Sequence, residues 1–341
     1  LIKCTFSYGS TYFESFIIPL KRWLTPIFLY FIALNVIRDK ATLKKVVIVM
    51  MIVTLIVATM ASLDYLLEKQ YAANLDKSRV GGVFEQPNTL GGFFVYAMFL
   101  FLGFFFTYFP NYRSLFMLIP FLVCFRGIMV TFSRGAYLGC GFGAIATTFF
   151  KSKILFAAGI LLIIFALLNP VLLPAGLRYR MSSTYGDQDK IISFDVEDIA
   201  DKSATRRILI WRGAIDMIKE YPIFGVGYGL FPHMISSYAA VNESDAHNTY
   251  LILAAEMGAP ALVIFLLILL MLIKNSWWLY IKTQDRFVRA TALGILGGLF
   301  GLLMVNMFGS RLNSEEVSAY FWIFAGLIMA AVRMKQKGQI T

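Results

Sequence analysis

Long apolar runs separated by short polar segments make up most of the chain. Nine runs approach the ~20 apolar residues needed to cross a bilayer. They lie at about 23–37, 46–67, 89–109, 115–132, 135–150, 154–173, 249–273, 290–308 and 317–332. Because the runs are continuously apolar, they favour helices over the alternating strands of a membrane β-barrel. The pattern predicts an all-α polytopic membrane protein with about nine transmembrane helices.

Composition supports this prediction. Hydrophobic residues make up 59 % of the chain and charged residues only 15 %, with a mean hydropathy of +0.71. An ordinary soluble domain is far more polar. A soluble protein with an unusually large core is therefore a poor alternative.

Basic residues indicate which connections share a side of the membrane. They cluster at Arg38/Lys40/Lys44/Lys45, Arg113, Lys151/Lys153, Lys274/Lys282/Arg286/Arg289 and Arg333/Lys335/Lys337. If every helix crosses once, all five groups fall on one side, which the positive-inside bias assigns to the cytosol. The long polar segment 174–248 then lies outside, with eight Lys/Arg against ten Asp/Glu. The net charge of +11 reflects topology, so nucleic-acid binding is a poor interpretation.

The same segment divides the chain into three parts. About six helices are expected in 1–173, a large periplasmic loop with catalytic elements in 174–248, and about three helices with a cytoplasmic tail in 249–341. The crossing count places the first residues outside, and the chain starts with Leu1. We therefore expect a missing N-terminal portion with an odd number of helices, which would complete a bundle of about twelve.

Two features stand out within the loop. Ile208, Trp211, Ile215 and Ile218 follow one helical face, which predicts an amphipathic helix over 204–220 at the outer surface. The glycine-rich run 225–229 only superficially resembles a nucleotide loop, because no strand precedes it and a third glycine is lacking. It predicts a tight backbone turn.

Four arginines lie in or beside apolar sequence: Arg79, Arg126, Arg134 and Arg207. Such charges are costly unless they face a partner, water or headgroups. Each could simply extend to lipid phosphate. Alternatively, the guanidiniums of Arg79, Arg134 and Arg207 converge on one outward-facing site, where their forks would suit the oxygens of a diphosphate.

Only two histidines are present, and His247 lies where the loop enters an apolar helix. Imidazole exchanges a proton near neutral pH, and Asp245 could orient it; the alternative is that His247 caps the helix. His233 is interpreted as a loop or interfacial residue. Glu256, in apolar sequence, is either functional or a buried tie to a chain partner. Two isolated histidines leave too few ligands for a catalytic metal, and no cofactor is predicted.

Five landmarks occur together in one order. They are RVGGVFEQPN from Arg79 to Asn88, Ser133-Arg134-Gly135, Arg207 with Trp211, YPIFGVG over 221–227, and HNTYL from His247 to Leu251 followed by Glu256 and Gly258. Their combination resembles the O-antigen ligase and polymerase superfamily of bacterial envelope glycosyltransferases, over roughly 79–330.

The resemblance implies transfer of a glycan from undecaprenyl diphosphate to an acceptor such as lipid A-core, on the periplasmic face of the inner membrane and without metal or nucleotide. An acceptor hydroxyl must lose a proton while the diphosphate leaves, which needs a base and cations. His247 is predicted as base or acceptor orienter, with Arg134 and Arg207 as catalytic cations. The predicted substrate-binding residues are Arg79, Asn88, Trp211, Asn248, Tyr250 and Glu256. Direct displacement would invert the anomeric centre.

Several functions remain open at this point. A ligase, a polymerase that extends the glycan on its carrier, and a protein oligosaccharyltransferase share these features, and the HNTYL segment favours the ligase. A transporter of lipid-linked glycans would need charges through the depth of the bundle and usually repeat symmetry. A purely structural membrane partner is the remaining alternative.

Overall fold

The computed structural model describes residues 10–68, 79–169, 171, 202–242 and 244–340, with side chains from residue 20 in the first range and from residue 206 in the fourth. Every regular element in these ranges is a helix. The all-α prediction is confirmed. Residues 174–201 of the predicted outer loop lie outside the described residues.

Thirteen α-helices are described. They are α1 Ser10–Val36, α2 Lys40–Glu68, α3 Pro87–Ala97, α4 Phe99–Tyr108, α5 Leu118–Thr131, α6 Arg134–Lys151, α7 Lys153–Leu168, α8 Lys202–Glu220, α9 Phe231–Met234, α10 Thr249–Met257, α11 Ala259–Lys282, α12 Arg286–Met307 and α13 Glu315–Gln336. Single 3-10 turns lie at Gly82–Phe84, Ile235–Ser237 and Arg311–Asn313, and a longer one at Tyr112–Met117.

Six described spans are long and apolar enough to cross a membrane. They are Lys40–Leu67, Pro87–Tyr108, Tyr112–Thr131, Ala259–Lys282, Arg286–Met307 and Glu315–Gln336. α7 is apolar but shorter. The chain is thus a polytopic helical membrane protein, as predicted, while the expected number of nine crossings stays a prediction.

Helix α12 forms the centre of the bundle and packs against α4, α6 and α11. Glycines allow the close approach: a Cβ at Gly143 of α6 would lie 2.9 Å from the carbonyl oxygen of Gly297 in α12, and a Cβ at Gly294 would lie 2.6 Å from Cα of Leu100. Small residues at helix crossings are typical of membrane interiors, where van der Waals contact drives association. Other extensive contacts join α13 to α1 and α2 to α5.

The helices alternate in direction and define two ends. We call the basic end the one where α4, α6, α11 and α13 finish and α12 begins, and the other the site end. At the basic end, Lys40 pairs with Asp285, and Lys44 lies 5.5 Å from the Phe287 ring centroid. At the same end, Arg333 donates to the Ile37 carbonyl at 3.1 Å. Basic residues from distant parts of the chain therefore gather at one end.

The predicted span 249–273 is wrong as a single helix. It breaks at Gly258, which has φ +85° and separates α10 from α11. A side chain at Gly258 would collide with the carbonyl oxygen of Ile223, and the Ala259 N–H donates to the Pro222 carbonyl at 2.8 Å. The segment after α8 thus fills the break.

The glycine-rich run forms the tight turn that the sequence predicts. Gly225, Gly227 and Gly229 all have positive φ, at +65°, +119° and +77°. The turn is fastened to the end of α10, since the Val226 N–H donates to the Ala255 carbonyl at 2.8 Å and the Gly227 N–H to the Glu256 carbonyl at 3.0 Å. The outer segment and the broken helix form one packed unit.

Gly258→Ala is expected to destabilise the protein strongly. The substitution combines an unfavourable positive φ with a backbone collision, and we expect a loss above about 2 kcal/mol. Gly141→Ala is the matched control, because Gly141 lies within α6 and a Cβ there meets nothing within 4 Å. Thermal unfolding in detergent should show a lower midpoint for Gly258→Ala only. An unchanged midpoint for this variant would contradict the packing of 222–227 into the break.

Candidate functional site

The turn after α12 is the frame of the candidate site. The Asn306 Oδ1 atom accepts the N–H groups of Arg311 at 3.2 Å and Leu312 at 3.3 Å, and the Thr249 hydroxyl at 2.6 Å. Asn306 is 1 % exposed. One buried amide therefore fixes the Arg311 turn against the first residue of α10.

His247 lies directly before this junction. Its Nδ1 atom is 3.6 Å from Oδ2 of Asp245, and the other Asp245 oxygen accepts the Ser310 hydroxyl at 3.1 Å. The Trp211 indole of α8 donates to the Ala246 carbonyl at 2.8 Å. Two separate segments, the turn after α12 and helix α8, thus hold the His247 loop.

The cap of α10 is Asn248 rather than His247. The Asn248 Oδ1 atom accepts the N–H groups of Tyr250 at 3.0 Å and Leu251 at 3.2 Å, as an N-cap residue does. His247 has φ +49°, which turns the chain into the helix. Its imidazole is therefore left for another role.

The His247 side chain is 44 % exposed, so a substrate can reach it. Partial burial lowers its pKa below the usual value; Asp245 acts in the opposite direction, and Arg207 and Arg311 lower the pKa further. A histidine with a lowered pKa is neutral at pH 7 and can accept a proton. The arginines thus suppress the protonated form of the imidazole.

Arg79 is held at the junction of two landmarks. Its Nε atom donates to the Thr131 carbonyl at 3.1 Å and its Nη2 atom to Oδ1 of Asn88 at 3.0 Å. The next residue, Val80, donates its N–H to the Val130 carbonyl at 3.2 Å. The structure therefore joins the segment 79–88 to the end of α5, and Asn88 orients Arg79.

Three guanidiniums act on one another at the site end. Burial lowers the pKa of Arg311 to about 10; Asp245 raises it, and the charges of Arg207 and Arg79 lower it further. The aliphatic part of Arg311 passes over Gly92 of α3, where a Cβ would lie 3.1 Å from Cγ of Arg311. We call Arg79, Arg207, Arg311, Asp245 and His247 the cationic site.

The other two arginines of interest differ in position. Arg134 is the first residue of α6; a Cβ at the adjacent Gly135 would lie 3.3 Å from Cβ of Phe308, whose ring centroid is 6.3 Å from that of Trp211. Arg134 thus begins a helix next to the site. Arg126 lies within α5, with its guanidinium 5.7 Å from the centroid of the Tyr65 ring.

Two predicted substrate-binding side chains are engaged with the chain itself. The Tyr250 hydroxyl donates to the Leu303 carbonyl of α12 at 2.9 Å. Glu256 is 6 % exposed, and its Oε1 atom accepts the Phe231 N–H at 3.2 Å. Glu256 also lines a cavity of about 230 Å³ together with Asp245. Both side chains therefore make contacts within the chain, and their binding to substrate stays a prediction.

Arg311 is the principal residue that sequence reasoning missed. It follows directly on the apolar run 290–308, in Gly309-Ser310-Arg311, which is the same signal that drew attention to Arg134. Asn306 and Ser310 were also overlooked. The signal that could have identified Arg311 is therefore an arginine that lies next to the end of an apolar run.

Together these features describe a helical membrane protein that carries one accessible histidine among arginines at one end of its bundle. Residues 119–266 match the family model described as O-antigen ligase. The match confirms the resemblance to the O-antigen ligase superfamily over this part of the chain, and members of the matched family are membrane glycosyltransferase-like enzymes. The matched segment contains Arg134, Arg207 and His247 but neither Arg79 nor Arg311. A comparison with curated proteins gives no significant match.

Proposed function

We propose that the protein is an O-antigen ligase-type glycosyltransferase, which moves a glycan from undecaprenyl diphosphate to lipid A-core. The observation that carries the proposal is the pairing of an accessible, neutral His247 with the guanidiniums of Arg207 and Arg311. Glycan transfer from a lipid diphosphate needs one base and several fixed cations. The cationic site supplies both.

In the proposed reaction, the acceptor hydroxyl oxygen attacks the anomeric carbon as the bond from that carbon to the diphosphate oxygen breaks. The hydroxyl proton passes to Nε2 of His247, because Asp245 faces Nδ1. Arg79, Arg207 and Arg311 bind the departing diphosphate, and Arg134 adds its charge at the positive end of the α6 dipole. A single displacement inverts the anomeric centre.

The arrangement of charge supports a periplasmic site in the inner membrane. Basic groups gather at the end opposite to the cationic site, and the positive-inside bias assigns such an end to the cytosol. The site end then faces the periplasm, where donor and lipid A-core would meet. The loop between α7 and α10 contributes α8 to this face, in agreement with its proposed catalytic role.

A gel assay in detergent tests the proposal. Full-length protein is incubated with undecaprenyl-diphosphate glycan, with and without lipid A-core, in the presence of EDTA. Glycan on lipid A-core would support a metal-independent ligase. A ladder on the carrier would indicate a polymerase instead, and the absence of any covalent change would contradict transfer and favour transport.

The pH dependence of transfer is expected to shift in Asp245→Asn. Asp245 raises the His247 pKa, so its loss lowers that pKa and extends activity to lower pH, along with a lower maximal rate from poorer orientation. Arg207→Gln should shift the acid limb upward, because Arg207 lowers the same pKa. Asp216→Asn is the control, since Asp216 pairs with Lys219 on the exposed side of α8. Identical acid limbs in all variants would exclude His247 as the titrating base.

A further inference from the structure

A second polar cavity lies at the basic end, across the bundle from the cationic site. Its volume is about 250 Å³, and residues of α4, α6, α11 and α12 line it. The polar lining includes Thr107, Tyr108, Lys151, Tyr280, Arg286 and Arg289. We propose that this cavity binds the phosphate group of an anionic ligand.

The first argument is the balance of charge. Lys151 ends α6, while Arg286 and Arg289 occupy the first turn of α12; Arg289 lies close enough to act on the Lys151 charge. The neighbouring carboxylate of Asp285 is already engaged, because it pairs with Lys40 and caps α12. Three cations therefore face one cavity, and no carboxylate in the described part of the chain forms an ion pair with them.

The second argument is hydrogen bonding. The Nε atom of Arg289 and the hydroxyl oxygen of Thr107 are both buried without a hydrogen-bond partner within the described residues. Buried polar atoms are normally paired, since leaving them unpaired is costly. The Arg289 guanidinium lies 5.3 Å from the centroid of the Tyr280 ring, which fixes its direction. The Nε–H group of Arg289 and the Thr107 hydroxyl could therefore both hydrogen-bond to a phosphate in the cavity.

The chemistry of the lining selects the ligand class. Guanidinium and ammonium groups bind phosphate oxygens through charge-assisted hydrogen bonds, and basic pockets between membrane helices bind acidic headgroups. The volume fits a phosphate-bearing headgroup rather than a whole lipid. Both an anionic phospholipid and free inorganic phosphate carry this group, and its binding would join the ends of four helices.

Lipid binding to the full-length protein tests this proposal. Delipidated protein in neutral detergent is titrated with phosphatidylglycerol, phosphatidylcholine or inorganic phosphate, followed by native mass spectrometry and thermal unfolding. Phosphatidylglycerol or phosphate should bind and raise the unfolding midpoint. Lys151→Gln and Arg289→Gln should each weaken that binding about 10-fold.

Lys337→Gln is the matched control. Lys337 is exposed and follows α13 at the same end, so the variant loses the same charge outside the cavity and should bind as the wild type does. Phosphatidylglycerol binding that inorganic phosphate does not displace identifies a lipid headgroup, whereas saturable phosphate binding identifies a free anion. The proposal would be overturned if Lys151→Gln, Arg289→Gln and Lys337→Gln weakened binding equally. Equal binding of phosphatidylglycerol and phosphatidylcholine would also overturn it. If Arg289→Gln fails to fold, Lys151→Gln decides.

Discussion

Replacing His247 by alanine is expected to reduce glycan transfer by about 10²- to 10⁴-fold, the usual contribution of general acid–base catalysis. Binding of the donor should change little, because arginines make the proposed contacts with the diphosphate. The reason lies in the geometry: His247 is accessible, faces Asp245 through Nδ1, and is kept neutral by burial and by nearby guanidiniums. Initial rates with saturating donor would measure the loss.

The backbone of His247 requires a second variant. With φ +49°, an alanine at this position adds strain, whereas asparagine tolerates positive φ. His247→Asn therefore tests the loss of the base with the loop conformation retained. His233→Ala is the control, since His233 is exposed in α9, and it should retain full activity. Substantial transfer by folded His247→Asn would remove imidazole catalysis from the mechanism.

The membrane architecture was predictable because each crossing needs a continuous apolar run, and that signal is local. The break at Gly258 was not, since apolar residues continue on both sides of it. What ends α10 is the close approach of Ile223 and Pro222, which are more than thirty positions earlier in the chain. Long-range packing of this kind leaves only an isolated glycine in the sequence.

The candidate site shows the same division. Polar residues in apolar sequence were recognised as important, but whether such a residue meets a substrate or its own chain depends on distant partners. Tyr250 contacts the Leu303 carbonyl, Glu256 the Phe231 N–H, and Asn88 the Arg79 guanidinium. Each was predicted to bind substrate, and that role stays a prediction beside the contact that each side chain makes with its own chain.

Asp245 links the base to the cations. It faces His247 with one oxygen and accepts the Ser310 hydroxyl with the other, and its charge acts on Arg311. Because the cationic site contains three arginines and only one carboxylate, it keeps an excess of positive charge. An excess is what a diphosphate donor requires, since two phosphate groups must be neutralised as the carrier departs.

Arg311→Gln is therefore expected to lower kcat/KM for the donor by about 10- to 100-fold, the range for loss of a charged hydrogen bond in a partly buried site. Arg311→Lys keeps the charge but loses the planar fork that grips two phosphate oxygens, so it should recover only part of the activity. Steady-state kinetics at varied donor concentration would separate the two variants.

The pH profile distinguishes a direct role of Arg311 from a structural one. Arg311 lowers the His247 pKa, so the acid limb of Arg311→Gln should move to higher pH, while Arg311→Lys should leave it near its original position. Arg212→Gln supplies the control, because Arg212 is exposed on α8, five residues beyond Arg207. If Arg311→Gln behaves like Arg212→Gln in both donor kinetics and pH profile, Arg311 does not bind the diphosphate, and the cations left to bind it are Arg79 and Arg207 with Arg134 beside them.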